Sequence, residues 1–302
     1  MSERVFAVIF TYNRKALLRE CLKAVLSQTR PPDHVLVVDN ASTDGTPEML
    51  QEEFPQVEVL RLPENQGGAG GFHEGMKRAY EQGVDWLWLM DDDTIPKAKA
   101  LEALLEAARL PLDPRRRVLA SRQLLPNGLP HPTTAFVNPT DPRHPFLWLR
   151  LRPRYRPIRW ALFTSVLLHR SLVEEHGLPH KAFFIWEDDL EYTARALRRG
   201  LGLQVRDSEV IHKSASKPYI SATTGENRLF YGVRNRIWVL RSPAFGPLGK
   251  AFLALQLLFG LLTYLAFHPS QKSLQEIGRA LRSWLTTAPG EASPNFDLAV
   301  SP

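Results

Sequence analysis

Residues 86–93 read WLWLMDDD, five apolar residues followed directly by three aspartates. A continuous apolar run that ends in polar residues predicts a strand buried on both faces of a sheet. Adjacent carboxylates at the end of such a strand repel one another, and a bound divalent cation would offset that repulsion. In an extended chain Asp91 and Asp93 point to the same side, so both can reach one Mg²⁺ or Mn²⁺ ion. A solvated acidic turn has the same pattern, because Asp-x-Asp alone is a weak signal.

Apolar runs alternate with helical patterns on either side of this stretch. The predicted strands cover residues 5–10, 35–39, 57–62 and 86–90, and the predicted helices cover 15–28, a segment from about 46, 67–81 and 96–110. This alternation predicts an α/β fold in which helices cover both faces of a parallel sheet. Ligands bind such sheets beyond the carboxyl ends of the strands. Polar clusters follow three of the strands there, at residues 11–14, 39–44 and 91–93.

The second half of the chain is less regular. Residues 126–157 are rich in proline and lack periodicity, which predicts a long irregular excursion. Arg150, Arg152, Arg154 and Arg156 alternate with other residues near its end, and Arg159 follows. This run fits a solvated charged loop, or a clamp for an anionic acceptor or membrane surface. Further on we expect strands at 161–168 and 203–211, helices at 187–199, 247–267 and 271–286, and a frayed tail from 288.

Composition limits the partners that the chain can have. The 302 residues carry a net charge of +6, with 44% hydrophobic and 23% charged residues, which is typical of a globular protein and suits an anionic partner. A nucleic-acid partner is not expected, because no nucleic-acid-binding module is recognisable. The single cysteine, Cys21, lies in an apolar helical pattern and cannot form an intrachain disulfide. No signal-peptide pattern is visible, so we expect a cytoplasmic protein.

The longest apolar run, residues 251–267, has 17 residues, the low edge of what a bilayer span needs. A buried or partner-covered helix, a helix lying in the membrane surface and a true span all remain open, in that order of preference. Homo-oligomer formation and peripheral contact with the inner face of the membrane are both compatible with it.

Three further motifs carry chemistry. Residues 186–192 read WEDDLEY, with four acidic residues in five positions ahead of a basic segment. That order of signs complements a helix dipole, but a carboxylate there could also act as a general base toward an acceptor hydroxyl. Residues 65–71 read NQGGAGG, either a flexible turn or a place where a phosphate can approach the backbone. His212, after a predicted strand, is a packing residue or a third metal ligand.

These motifs, together with VVDNASTDGT at residues 37–46, resemble the inverting glycosyltransferases of family two over roughly residues 4–240. Residues 65–72 and 186–192 are most similar to the galactofuranosyltransferase-like branch, with rhamnosyltransferases as near neighbours. The resemblance implies the GT-A fold, a mostly parallel central sheet flanked by helices. It assigns residues 1–240 to the transferase domain and 241–302 to a C-terminal helical extension.

The resemblance also implies roles. Implied donor contacts are Thr11, Tyr12, Asn13, Arg14, Asp39, Asn65, Gly67, Gly68, Asp91 and Asp92, with Asp39 on the nucleoside base. Asp91, Asp93 and His212 would hold Mn²⁺ or Mg²⁺, and Trp186 and Glu187 would contact the acceptor. Asp189 would be the catalytic base, and a one-residue slip would give that role to Asp188. Arg234 and Asn235 resemble an arginine–asparagine pair common in this branch.

The expected activity is metal-dependent, inverting transfer of galactofuranose from UDP-galactofuranose to a hydroxyl of a glycan or lipid-linked acceptor. A rhamnosyltransferase that uses dTDP-rhamnose is the nearest alternative. A nucleotidyltransferase would carry a basic glycine-rich loop after the first strand, but residues 11–15 contain no glycine. A non-catalytic sugar-nucleotide-binding protein is disfavoured by the presence of Asp91, Asp93, Asp189 and His212.

Overall fold

The computed structural model describes residues 3–111, 118–131, 135–137, 154–198, 200, 202–213, 220 and 226–286. The first half alternates strands and helices as predicted. Its elements are β1 (Val5–Thr11), α1 (Lys15–Leu26), β2 (His34–Asp39), α2 (Thr46–Glu53), β3 (Glu58–Arg61), α3 (Gly67–Glu81) and β4 (Trp86–Asp91). Continuous apolar runs form β1 and β4 because both strands lie in the centre of the sheet, where both faces are covered.

The second half adds shorter strands and the C-terminal helices. Its elements are β5 (Thr94–Pro96), α4 (Ala100–Ala108), β6 (Val118–Leu124), β7 (Ala135–Val137), β8 (Tyr155–Ala161), β9 (Val166–His169), α5 (Ser171–His176), α6 (Asp188–Ala196), β10 (Gly202–His212), α7 (Glu226–Arg241), α8 (Pro247–Phe267) and α9 (Gln271–Thr286). The two last helices have the bounds that the sequence predicts.

The strands form one mixed sheet in the order β3-β2-β1-β4-β9-β6-β10-β8-β7, with β5 paired to β10. The part from β3 to β4 is parallel, as expected. Beyond β4 the sheet differs from the expected parallel arrangement, because β9 runs antiparallel to both β4 and β6. All the polar clusters of the first half therefore reach the same edge, at the carboxyl ends of β1, β2 and β4.

Two hydrophobic layers enclose the sheet. Val5, Ala7 and Ile9 of β1 pack with α1, α2 and α4 on one face. Phe6 and Val8 pack with α3, α5 and α6 on the other face. This alternation follows from the two-residue period of a strand. Cys21 is buried in the first layer, which confirms its predicted packing role.

Helix α3 lies unusually close to the sheet because its glycines face β1 and β2. A Cβ atom on Gly71 would lie 2.2 Å from Cδ2 of Phe10, and one on Gly75 would lie 2.6 Å from Cγ1 of Val8. At Gly67, where φ is +70°, a Cβ atom would lie 2.0 Å from the carbonyl oxygen of Phe184. Packing therefore explains part of the glycine-rich stretch without a ligand.

Two predicted elements are wrong in detail. Pro96 does not begin a helix but ends β5, because Thr94 and Pro96 pair with His212 and Val210 of β10. The single strand expected at 161–168 is two strands, β8 and β9, separated by a turn in which Ser165 has a φ of 93°. The predicted irregular segment at 126–157 falls largely on residues outside the described part of the chain.

The C-terminal helices share packed clusters with the helices that precede them. Phe183, Leu190, Trp238 and Leu253 form one cluster, which joins α6, α7 and α8. Leu229, Val233, Tyr264 and Ala280 form another, which joins α7, α8 and α9. The domain boundary expected at residue 240 stays a prediction.

Helix α8 is long and apolar enough to cross a membrane by length and composition, with a mean hydropathy of 1.7 over its most apolar window. Only Leu253, Gly260 and Tyr264 are buried within it. The expectation of a helix buried within the chain is therefore wrong, since Leu255 and Phe259 are 65% and 70% exposed.

Candidate active site

The three aspartates after β4 meet the residues that follow β1. Phe10 of β1 lies beside Asp91 of β4 in the parallel pairing, and the N–H of Asp92 donates to the carbonyl of Phe10. The Thr11 hydroxyl donates to Oδ2 of Asp92 at 2.7 Å. The Arg14 guanidinium lies 3.3 Å from Oδ1 of Asp92 and 2.9 Å from Oδ2 of Asp93. Thr11 and Arg14 thus lie against the acidic turn, as their predicted place at the donor site requires.

The pairing of β5 with β10 brings His212 to the same turn. Nε2 of His212 lies 3.1 Å from Oδ1 of Asp93, and the N–H of Lys213 donates to the Asp93 carbonyl. Oδ1 of Asp93 is buried, and this ion-pair contact with His212 is its contact among the described residues. The His131 ring lies 5.1 Å from the His212 ring, centroid to centroid. His131 was not anticipated from the sequence.

The three carboxylates experience different electrostatic environments. Burial, together with repulsion from Asp93, Asp92 and Asp189, raises the pKa of Asp91 well above its usual range. Burial raises the pKa of Asp92 to about 6, although Arg14 and Thr11 oppose the shift. Burial also acts on Asp93, but His212 and Arg14 outweigh it and lower its pKa.

The side chains at this turn match a divalent cation in chemistry. Carboxylate oxygens and an imidazole nitrogen are its ordinary ligands, and the buried Oδ1 of Asp93 already lies 3.1 Å from the imidazole of His212. Within the described ranges, however, no three His, Cys, Asp or Glu side chains are gathered closely enough to hold an ion as they stand. Coordination by Asp91, Asp93 and His212 together would need these side chains to move closer to one another.

The loop after β2 supplies a second buried carboxylate. Oδ1 of Asp39 accepts the N–H of Ser42 at 2.9 Å. Oδ2 of Asp39 has no hydrogen-bond partner in the described part of the chain and lies 3.7 Å from Nε of Arg61. Asn13, with a φ of 52°, ties this loop to the loop after β1, since its N–H donates to Ser42 at 3.0 Å and its side chain accepts from Thr43. Asn13 thus shapes the site, and its predicted donor contact stays a prediction.

Asn65 is engaged in the same network. Its Oδ1 accepts Nδ2 of Asn40 at 2.7 Å and the N–H of Gly67 at 2.9 Å. Oδ1 of Asn40 in turn accepts the N–H of Gln66. These contacts fix the first turn of α3 against the β2 loop. Tyr12 is 38% exposed at the edge of the site, and donor contacts of Gly67 and Gly68 stay predictions.

Helix α6 brings Asp188 and Asp189 to the site from the other side. Oδ1 of Asp189 accepts the N–H of Leu190 at 2.6 Å, and its carboxylate is among the charges that raise the pKa of Asp91. Burial raises the pKa of Asp188 to about 7, and burial with repulsion from Asp188 raises that of Asp189 well above its usual range. The Asp188 side chain is buried, whereas Asp189 is half-buried and its charge acts on the acidic turn.

The two predicted acceptor residues precede α6. Trp186 is half-buried, and the Arg228 guanidinium lies 5.7 Å from the centre of its ring. Glu187 is buried, with Oε1 2.7 Å from Nη2 of Arg236. This burial argues against the predicted acceptor contact of Glu187. Burial raises the pKa of Glu187, an effect that Arg236 opposes.

The arginine run serves structural contacts where it is described. Arg154 pairs with Asp207, and Arg159 donates to the carbonyls of Ala194 and Ala244. Arg150 and Arg152 lie outside the described residues, so a clamp formed by the whole run stays a prediction. An open hollow of about 490 Å³ beside Arg154 is lined by Arg122, Arg154, Arg206, Asp207 and Glu209 and contains none of the candidate site residues.

The comparisons with known proteins agree with this geometry. The family model for glycosyl transferase family 2 matches residues 6–113, which contain β1 to β4 and the acidic turn. Galactofuranosyltransferase GlfT1 of Mycobacterium tuberculosis is 31% identical over 270 residues, covering 82% of this chain and 86% of the relative. The chain belongs to glycosyl transferase family 2. It is a glycosyltransferase, related to galactofuranosyltransferases and rhamnosyltransferases.

Further relatives of this family 2 glycosyltransferase support the same placement. The N-acetylglucosaminyl-diphospho-decaprenol L-rhamnosyltransferase of M. tuberculosis is 26% identical over 238 residues, covering 71% of this chain and 78% of the relative. The crystal structure of S. aureus TarS matches with a TM-score of 0.63 at 15% identity over 94% of this chain, which spans about half (49%) of the TarS chain. A mannosyltransferase from Pyrobaculum calidifontis, in complex with GDP-Man and Mn²⁺, matches with a TM-score of 0.56 at 20% identity, covering 95% of this chain and 76% of its own. The expected GT-A fold is confirmed.

Several residues of the site lay outside the roles assigned from the sequence. Asn40 and Ser42 stand within the motif at residues 37–46, so their proximity to the site was available as a signal. Asn235 and Arg236 lie in α7 and contact the turn before α6. Arg236 and its partner Glu187 are 49 residues apart in the sequence. No local pattern indicates such a contact.

Proposed function

We propose that this glycosyltransferase transfers galactofuranose from UDP-galactofuranose to a hydroxyl of a glycan or lipid-linked acceptor, with inversion and with a divalent metal. The observation that carries the proposal is the place of half-buried Asp189 at the start of α6, where its charge contributes to the raised pKa of Asp91 in the acidic turn. A general base opposite a diphosphate-binding turn is the arrangement that single displacement requires. The identity to galactofuranosyltransferase GlfT1 favours this donor sugar.

The donor nucleoside would lie against the loops after β1 and β2. The unpaired Oδ2 of buried Asp39 can accept an N–H from a uracil ring, which would relieve an unsatisfied buried oxygen. Arg14 is half-exposed and places a positive charge beside the acidic turn. Its guanidinium can contact donor phosphate oxygens while it remains near Asp93.

Asp91, Asp93 and His212 are the residues that would hold the metal. When bound, the ion would stabilise the negative charge that develops on the departing diphosphate. The chain's own contribution is to keep Asp93 ionised, since His212 and Arg14 lower its pKa. The structures of related fold that contain Mn²⁺ support the choice of a divalent ion.

Asp189 would take the proton of the acceptor hydroxyl as the hydroxyl oxygen bonds to the anomeric carbon and the bond to the diphosphate breaks. Attack from the face opposite the leaving group inverts the anomeric configuration. The raised pKa of Asp189 suits this role, because a base is most effective when its pKa approaches the working pH. Trp186, half-buried ahead of α6, would border the acceptor.

We further propose that α8 lies on an anionic lipid surface, which would bring the site to a lipid-linked acceptor. One face of the helix presents exposed apolar side chains at helical spacing, namely Leu248, Phe252, Leu255, Phe259 and Leu262. Lys250 is the one charged residue within this helix, while Arg241 and Lys272 flank it. Basic flanks complement anionic headgroups. The decaprenol-linked substrate named for the rhamnosyltransferase relative is consistent with such an acceptor.

The relative with rhamnosyltransferase activity keeps dTDP-rhamnose as a second candidate donor. Isothermal titration with UDP and with dTDP, each with and without Mn²⁺, distinguishes the two. We expect Mn²⁺-dependent binding that prefers UDP and is lost in Asp93→Ala. Preference for dTDP would favour the rhamnosyltransferase, and no binding of either nucleotide would contradict the assignment of the donor site.

A further inference from the structure

The turn before α6 has a strained backbone. Phe184, Trp186 and Glu187 have φ values of 63°, 66° and 71°, and all three carry a Cβ atom. A positive φ costs free energy at any residue other than glycine. Such conformations persist only where the surroundings enforce them, and they cluster at functional sites. This turn, defined as residues 183–187, is held by residues of α7.

Helix α7 supplies the restraint through a buried asparagine. Nδ2 of Asn235 lies 2.9 Å from the carbonyl oxygen of Phe183, 2.7 Å from that of Ile185 and 3.0 Å from that of Trp186. Its two amide hydrogens are shared among three acceptors, and its side chain is fully buried. Arg234 adds contacts to the carbonyls of Ala182 and Phe183 at 2.6 and 3.0 Å.

The next residue of α7 holds the end of the turn. Nη2 of Arg236 lies 2.7 Å from Oε1 of Glu187, and Nη1 lies 3.2 Å from Oε1 of Gln256 in α8. The side chains of Arg236 and Glu187 are 5% and 3% exposed. A buried pair of this kind is costly to form and weak evidence for stability, so its presence points to a role in fixing the geometry of the turn. Glu187 directly precedes Asp188 and Asp189.

We propose that Asn235 and Arg236 are positioning residues for the catalytic step: they hold the turn at residues 183–187 and thereby direct the Asp189 carboxylate at the donor site. This inference rests on the proposed function, in which Asp189 is the base. A displacement of about 1 Å at a reacting group can cost on the order of a hundredfold in rate. The hydrogen bonds described above for Asn235 and Arg236 reach the turn and Gln256 of α8, and not the loops after β1 and β2.

Asn235→Asp tests the proposal because the new side chain has the same shape but lacks the donating amide. Turnover is measured as UDP release from UDP-galactofuranose, UDP affinity by titration with Mn²⁺, and folding by near-ultraviolet circular dichroism. We expect kcat to fall by about a hundredfold while the Kd for UDP stays within about threefold of wild type. Asn127→Asp, in an exposed turn, is the matched control and should keep wild-type kcat.

A second variant addresses the case in which Asn235→Asp does not fold. Arg234→Gln removes the half-buried guanidinium from the carbonyls of Ala182 and Phe183 and should lower kcat by several-fold with UDP affinity retained. Variants that fold and keep wild-type kcat would overturn the proposal, as would a loss of UDP affinity equal to the loss of kcat. Turnover by wild type and its loss in Asp189→Asn, measured in the same series, tests the proposed function separately.

Discussion

At the scale of single residues, the pKa values of the acidic groups in the candidate site are shifted in opposite directions. The pKa of Asp93 is lowered by His212 and Arg14 against the effect of burial. Burial raises the pKa of Asp188 and Asp189, with added repulsion from Glu187 at Asp188 and from Asp188 at Asp189. A carboxylate kept ionised suits a metal ligand, and one with a raised pKa suits a base, so Asp93 and Asp189 fit their proposed roles. The pKa of Asp91, the other proposed ligand, is raised by burial and by its acidic neighbours, and a bound cation would lower it.

The identity of the base is tested by a pair of isosteric substitutions. Asp189→Asn should lower kcat by about 10²–10⁴-fold, the usual contribution of a general base, and leave UDP affinity within about threefold. Asp188→Asn is the matched control and should retain most of the activity, because the Asp188 side chain is the more buried of the two. Steady-state UDP release measures both variants. The reverse pattern would assign the base to Asp188.

The raised pKa of Asp189 predicts the pH dependence of turnover. A base must be ionised, so kcat should fall as the pH decreases through this pKa, which lies well above the ordinary aspartate value of about 4. Because the Asp188 charge contributes to the shift, Asp188→Asn should move the acid limb to lower pH. Profiles of kcat against pH for the wild type and for Asp188→Asn measure the position of the acid limb in each protein. An acid limb near pH 4 in the wild type would contradict the assignment.

At the scale of elements, the helices and strands that were predicted correctly are those that local sequence patterns determine. Strand–helix alternation located β1 to β4, and the 3.6-residue period located α8 and α9 with their bounds. Pro96 was misplaced because its strand depends on pairing with Val210 of β10, which is remote in sequence. The break at Ser165 and the partnership of Glu187 with Arg236 likewise depend on tertiary contacts.

The candidate site, too, was predictable from the sequence only in part. The sequence motifs placed Thr11, Asp93 and His212 at one edge of the sheet, and the structure confirms that they lie together there. Burial and hydrogen bonding are not visible in a motif, however. Glu187 is predicted to contact the acceptor, and the structure shows its side chain buried against Arg236, which no motif indicates.

The close packing of α3 predicts a stability difference between two of its glycines. Gly75→Ala would place a Cβ atom 2.6 Å from Val8 and 2.8 Å from Val38, so we expect a loss of about 1–3 kcal/mol. Gly68→Ala meets its nearest neighbour only at 4.0 Å and should be neutral or stabilising by about 0.4–1 kcal/mol. Thermal unfolding measures the melting temperatures of Gly75→Ala and Gly68→Ala. Equal melting temperatures would contradict the packing explanation of the glycine-rich stretch.

At the scale of the whole molecule, the catalytic domain and the C-terminal helices are physically linked. Gln256 of α8 contacts Arg236, and Arg236 contacts Glu187 at the start of α6. The same α8 exposes its apolar face to solvent. A surface bound by α8 would therefore lie in a fixed relation to the helix that carries Asp189.

The exposed face of α8 predicts membrane binding. Wild-type protein should co-sediment with vesicles that contain phosphatidylglycerol more than with vesicles of phosphatidylcholine alone, and Leu255→Glu with Phe259→Glu should abolish the binding. Leu129→Glu, at an apolar residue that is 60% exposed elsewhere, is the matched control. Absence of vesicle binding together with a dimer in size-exclusion chromatography would show that a second copy covers this face.

Sugar transfer from a uridine donor is measured as UDP release with UDP-galactofuranose, Mn²⁺ and a bacterial lipid extract as acceptor source. We expect release that requires the extract, exceeds the dTDP release from dTDP-rhamnose, and disappears in Asp93→Ala and in Asp189→Asn. Equal release by wild type and Asp189→Asn, or a preference for dTDP-rhamnose, would show that the protein does not transfer sugar from a uridine donor in the proposed way.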